Sequence, residues 1–264
     1  MSNTLNRLWA YRGFIWQSVK REFTLRYHDS VLGAAWIILN PLAMILIYTI
    51  IFAKVMQARL PNAQSSFAYS IFLMSGILPW RLFSDLISRA PSLFIEQASL
   101  LKKIQFPKFS LVAIALLNSL VNFAVIFSLF MIFLIVCGQF PGWSIVAVIP
   151  LLLLQLWIGT SVVVILAILN IFFRDVAPLT NIGLQFGFWL TPIVYSASMI
   201  PVAYRDYVFL NPLSAIFDGY HQIFVYGLVP SWSGLIPAVV LAFVLSAVAG
   251  HLYTQRSAEM VDEL

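Results

Sequence analysis

The stretch that decides the fold is FSLVAIALLNSLVNFAVIFSLFMIFLIVCGQFPGWSIVAVIPLLLLQLWIGTSVVVILAILNIFF, Phe109 to Phe173. It contains no Asp, Glu, Lys or Arg. About 20 apolar residues in a helix cross a hydrocarbon core of about 30 Å, so the run holds two crossings. It breaks once, at Gly138-Gln139-Phe140-Pro141-Gly142. Two glycines and a proline there make a tight turn. The stretch is a hairpin in a membrane, with spans over about 109–137 and 143–172.

The rest of the chain must be threaded around that hairpin. Of its 264 residues, 61% are hydrophobic and 9% charged. A soluble domain carries about 25% charged residues, too many for this chain to match. No period-2 alternation of the barrel kind appears, so helices must satisfy the backbone in hydrocarbon. The expectation is an all-α integral membrane protein. Cys137, the single cysteine, excludes an intrachain disulfide and a cysteine-based metal site. No metal site is expected.

Residues 1–30 form an expected cytoplasmic segment with an amphipathic helix in the membrane interface. At helical spacing Leu8, Ile15, Trp16, Val19 and Phe23 share a face, with Gln17, Lys20 and Arg21 opposite. Arg12 falls on the apolar side and must snorkel. An ordinary basic flank before a span is the other reading.

Residues 31–255 form the expected six-helix transmembrane domain. Its first span covers about 31–54 and carries Asn40-Pro41 near the middle, where proline removes a backbone hydrogen bond and bends the helix. The second covers about 67–88 and holds Arg81 and Asp85 at i, i+4. These two are either a structural ion pair or charges facing a pore.

The connection 91–107 mixes Glu96, Lys102 and Lys103 with apolar Phe94, Ile104 and Phe106. It suits a partner's groove, or it is a solvated loop that fixes topology. Span five is expected over about 177–195. Asn211-Pro212 then opens a helix too short to cross, which dips into the outer leaflet or lies on it. A last span, about 235–254, precedes a cytoplasmic tail, 256–264.

Six spans put both termini on one side. That side gathers Arg7, Arg12, Lys20, Arg21, Arg26, Arg89, Lys102, Lys103, Lys108, Arg174 and Arg256, whereas Lys54, Arg59 and Arg205 fall on the other. The bias predicts both termini inside. It also accounts for the +5 net charge without a nucleic-acid partner.

Arg26-Tyr27, Ser30-Val31-Leu32-Gly33, Trp36 and Asn40-Pro41 resemble the first-span signature of ABC-transporter export permeases for polysaccharides and polyol phosphates. Lys102-Lys103 to Pro107, Phe173-Arg174-Asp175, Thr191-Pro192-Ile193 with Tyr195, and Asn211-Pro212 extend the likeness over about residues 5 to 255. That family exports O-antigen, capsule and teichoic acid.

The resemblance implies two permease copies with two separate ATPase subunits in a bacterial inner membrane. Its cargo is a glycan on a polyprenyl-diphosphate lipid, passing between the two permeases. The ATPase stroke would be received by the N-terminal helix and by Glu96, Lys102, Lys103 and Phe106. Arg26, with Arg7, Arg12 and Lys20, would meet the diphosphate at the entrance. Trp36, Tyr48, Arg81, Asp85 and Trp189 are candidates to line the channel.

The residues agree on one point independently. No glycine precedes a lysine anywhere, so there is no phosphate-binding P-loop. ATP and Mg belong to a partner, and this chain needs no cofactor of its own. Two other classes fit less well. A membrane enzyme acting on lipid-linked sugars would gather acids or histidines, which here are scattered. A secondary transporter would favour internal repeats. An exporter of drugs or small lipids is the nearest alternative in build.

Overall fold

The computed structural model describes residues 11–28, 35–51, 67–103, 107–196, 200–201, 208, 210–256 and 259–263. Among them every regular element is helical. In chain order these are α1 (Arg12–His28), α2 (Trp36–Tyr48), α3 (Ala68–Ser88), α4 (Ala98–Lys103), α5 (Phe109–Val136), α6 (Val148–Phe172), α7 (Val176–Leu190), α8 (Pro212–Tyr226), α9 (Ile236–Arg256) and α10 (Glu259–Glu263). Short 3-10 turns, Gly142–Ala147 and Trp232–Leu235, lead into α6 and α9.

α5 and α6 follow one another across the turn at Gly138 and Gly142. α5 ends at Val136, and Gly138 and Gly142 both take positive φ, near 67° and 66°. Only glycine adopts that region at little cost. Ser144 Oγ donates to Gly227 O at 2.7 Å and ties the turn to the end of α8.

Among the described residues, four helices are long and apolar enough to cross a membrane: 68–88, 109–136, 142–172 and 232–256. Their burial runs opposite to that of a soluble bundle. The least apolar, α3, is 78% buried across its span, whereas that of α9 is 22% buried. Lipid is the outer solvent, so strongly apolar helices need not hide. α3 is the axis, packed by α2, α5, α6, α7 and α8.

The two remaining expected spans are shorter. α2 has 13 residues and continues through a π-helical turn at 49–51; the start and end of the expected span lie outside the described residues. α7 has 15 residues, about 22 Å at 1.5 Å per residue. It stops at Thr191, which is extended with φ −101° and ψ 136°. Pro192 causes this, because a residue before proline is driven from the helical region. The chain then folds back, burying Thr191 and Ile193.

α8 starts as the sequence dictates. Asn211 accepts from Leu213 N–H at 3.1 Å, Pro212 occupies the first turn, and Gly227 closes the helix at φ 65°. It is no surface helix. Ile216, Phe217, Tyr220 and Ile223 are fully buried, and so is Ser214 on the face that carries Asp218, His221 and Gln222.

The start of α5 and the ends of α6 and α9 meet at one end of the bundle. Phe109 stacks near Tyr253 at 4.4 Å, Arg256 sits 5.5 Å over Phe172, and α10 packs on α4 and α6. α1 packs along α5 through buried Ile15 and Val19. Trp16, expected on that apolar face, is 63% exposed. One position on from Ile15, and so about 100° round the helix from it, Trp16 falls off the narrow stripe that touches α5.

Candidate functional site

A charged joint sits where α1 meets the shared end of α3 and α5. Arg89 follows the last residue of α3. Its Nη1 donates to Glu22 Oε1 on α1 at 2.5 Å, and its Nε lies 3.4 Å from Asp85 Oδ2. Ser119 on α5 donates to Asp85 Oδ2 at 2.6 Å, and Asn118 Nδ2 donates to Glu22 Oε2. Three helices thus share one network. Burial disfavours the Arg89 charge, but the pull of Asp85 and then of Glu22 outweighs it and raises its pKa. The guanidinium stays charged in every condition of interest.

Of the two readings of Arg81 and Asp85, the ion pair between them is not formed. Asp85 takes Arg89, four residues further on, instead. An acid N-terminal to its base is the better order at i, i+4, because helical side chains lean towards the N-terminus. Arg81 Nη1 meets the Met44 sulfur on α2, at 3.2 Å.

Beside the joint lies a cleft of about 430 Å³ between α1, the 89–97 connection and α5. Arg21, Arg89, Glu22 and Glu96 line it, so both signs of charge face the same space. Asn170, buried on α6, holds the connection from below. It donates to Pro91 O at 2.8 Å and accepts from Ala177 N–H at 3.1 Å, fixing the start of α7.

A second polar cluster braces α8. Gln155 on α6 donates to Pro79 O at 2.7 Å and accepts from Tyr220 OH at 2.9 Å. His221 stacks on Phe72 with ring centres 3.9 Å apart. A Cβ on Gly76 would lie 2.4 Å from Ile193 O and 2.8 Å from His221 Nε2, so α3 and the Thr191 turn meet here only through glycine. Asn211 Nδ2 donates to Thr191 Oγ1 at 2.9 Å and closes the cluster.

An apolar groove of about 490 Å³ runs between α3, α6 and α7, lined by Trp80, Phe83, Leu166, Gly183 and Gly187. Gly187 admits the Trp80 ring, which a Cβ would meet at 3.0 Å.

The residues expected at the entrance are spread along α1. Arg12 and Lys20 are exposed, and Arg26 stands near the helix end. Arg7 lies outside the described residues, as does Phe106. Trp36 and Trp189 are both exposed, at 47% and 61%, on α2 and α7. Tyr48 ends α2, where Asn40 is exposed and Pro41 buried. Glu96 and Lys102 are exposed on the connection and α4, and Lys103 ends α4.

Sequence reading missed Glu22, Arg89, Asn118, Ser119, Gln155 and His221 as contact-forming groups. Amides at Asn118, Gln155 and Asn170 within apolar helices were the available signal, since polar side chains there seek partners on other helices. Among the described residues, no three His, Cys, Asp or Glu side chains converge to hold a metal ion.

The fold is that of a polytopic helical membrane protein whose charged groups join helices to one another at one end of the bundle. The chain belongs to the ABC-2 type transporter family, whose profile matches residues 14–225. The match runs from α1 nearly to the end of α8, so it takes in both the charged joint and the α8 brace. The O-antigen export system permease protein RfbA of Myxococcus xanthus is 29% identical over the whole of both chains. A protein of the same name from Klebsiella pneumoniae is 32% identical over 78% of each. The polysialic acid transport protein KpsM of Escherichia coli is 23% identical over 91% of this chain and 92% of its own. The chain is thus an export permease, the membrane subunit of a transporter.

Proposed function

We propose that this chain moves O-antigen polysaccharide outward across a bacterial inner membrane as the channel-forming subunit of an ATP-driven exporter. The observation that carries the reading is the end-to-end match to an O-antigen export permease. In this reading two copies pair with two ATPase subunits, which bind ATP and Mg. The cargo rides on a polyprenyl diphosphate. In this reading α2 and α7 supply the remaining two of six spans, with both termini inside.

Several features support the arrangement. α1, α4 and α10 all stand at one end of the bundle, which gives a motor subunit a single face to engage. The charged joint ties α1 to α3, so a push on α1 reaches the helix at the centre of the fold. The exposed apolar faces of α2 and α7 suit lipid or a second copy. Export of a capsule is the second reading, favoured by the similarity to the polysialic acid transport protein.

Deleting the gene tests both. Loss of the O-polysaccharide ladder from surface lipopolysaccharide, with glycan retained inside and recovery on complementation, is the expected result. Loss of capsule with an intact ladder would favour the second reading. Intact surface glycans of both kinds would refute export of either.

A further inference from the structure

Arg81 lies inside a span, eight residues before Arg89 in α3 and thus about 12 Å deeper along the helix. The four long spans contain one acid, Asp85, and it is committed to Arg89 and Ser119. A second copy of this chain would bring no other acid in those spans. What Arg81 does have is the sulfur of Met44 at 3.2 Å, an uncharged and weak acceptor. Around it are Pro41, Met74, Ile77, Leu78 and Ile126, all apolar. A guanidinium carries five donors in a planar fork. Holding one in hydrocarbon without an anion is costly, and such residues mark the path of a polar ligand.

The helix that covers Arg81 is built to yield. Pro41 is buried in this same small pocket and cannot donate to the carbonyl four residues earlier, which weakens α2 beside Met44. The outward face of α2, with Leu39, Leu46 and Ile50, is uncovered.

We propose that Arg81 is a binding residue for the phosphate-ester headgroup of a lipid, which displaces Met44 and seats between α2 and α3. Paired N–H donors match phosphate oxygens, and the apolar walls accept a lipid chain. The phosphate comes from a lipid-linked cargo or from the bilayer's own phospholipid. The first source rests on the export reading above.

The test uses the full-length protein in nanodiscs and three probes: undecaprenyl diphosphate, undecaprenol and phosphatidylglycerol. Arg81→Met is expected to weaken undecaprenyl diphosphate by about tenfold or more, and Arg81→Lys by a smaller factor, because an ammonium cannot pair bidentately. Undecaprenol binding should not change. Loss confined to phosphatidylglycerol would support the site and assign its phosphate to the bilayer. Wild-type protein that binds phosphatidylglycerol but not undecaprenyl diphosphate would refute the lipid-linked cargo and leave the site standing. Equal affinity of wild type and Arg81→Met for both phosphate lipids overturns the site alone. If Arg81→Met does not insert, a photoreactive leucine analogue at Met44, with Arg81 intact, is expected to cross-link a phosphate lipid. No adduct there would overturn the proposal.

Discussion

Arg89 and Glu22 meet at 2.5 Å across two helices that are 67 positions apart in the chain. Arg89 also holds Asp85, so it stands between two carboxylates that Asn118 and Ser119 bond as well. Arg89→Ala removes the cation that both acids share. The side chains of Glu22 and Arg89 are 40% and 21% exposed, so water screens part of the loss. The expected cost is about 1–2 kcal/mol, above an exposed pair and below a fully buried one. Glu22→Gln keeps Asp85 paired and should cost less. Thermal unfolding of the purified variants checks the order; equal midpoints for both and for wild type would mean that the joint adds no stability.

Gly76 is the second position where a small change should matter. Its missing Cβ leaves room for Ile193 O and His221. Gly76→Ala sets the new Cβ 2.4 Å from the backbone oxygen of Ile193, an atom that no side-chain rotation can move aside. Overpacking of this kind costs about 1–3 kcal/mol. Gly250→Ala, with nothing within 4 Å of the added carbon, is the control and should unfold at or above the wild-type temperature. A Gly76→Ala protein as stable as that control would show that the α3 contact relaxes freely.

Gln155 serves two partners in a fully buried site. Gln155→Leu strands the Tyr220 hydroxyl, at about 1–3 kcal/mol for a buried group left unpaired, and takes from the Pro79 carbonyl only the donor added to its helix bond. Tyr220→Phe removes only one bond and leaves Gln155 its donor contact. In the double variant Gln155→Leu with Tyr220→Phe, part of the loss should return, because the stranded hydroxyl is gone. Strictly additive unfolding free energies would argue that the two side chains are not coupled.

These contacts show what a reader of the sequence can and cannot reach. The hairpin was legible because absence of charge over its length admits one environment. The start of α8 was legible because Asn211 and Pro212 act locally. The end of α7 was less so: Thr191-Pro192 was read inside a span, and proline's effect on its neighbour ended the helix there. For Arg81 and Asp85, spacing alone allows either an ion pair with each other or charges facing a pore. Spacing permits Arg89 equally, and the choice depends on side-chain direction and on Glu22, which folding brings from α1. Gln155 and Tyr220 lie 65 positions apart, and no local pattern joins them.

Cys137 turns the proposed sidedness into a measurement. It follows α5 at the hairpin turn and is partly exposed. With both termini inside, that turn faces outward. A membrane-impermeant maleimide added from outside the inner membrane should therefore label Cys137 in intact spheroplasts. A cysteine placed at exposed Arg174, at the other end of α6, should react only after lysis, in a Cys137→Ser background. Burial pushes the Cys137 thiol above its ordinary range, since apolar surroundings disfavour the thiolate. The thiolate is the reactive form, so its fraction at neutral pH is smaller than for a free cysteine. Labelling should then accelerate as pH rises and keep rising beyond the point where a free thiol levels off. Labelling of Cys137 only after lysis would invert the proposed topology. A pH profile matching free cysteine would place the thiol in water.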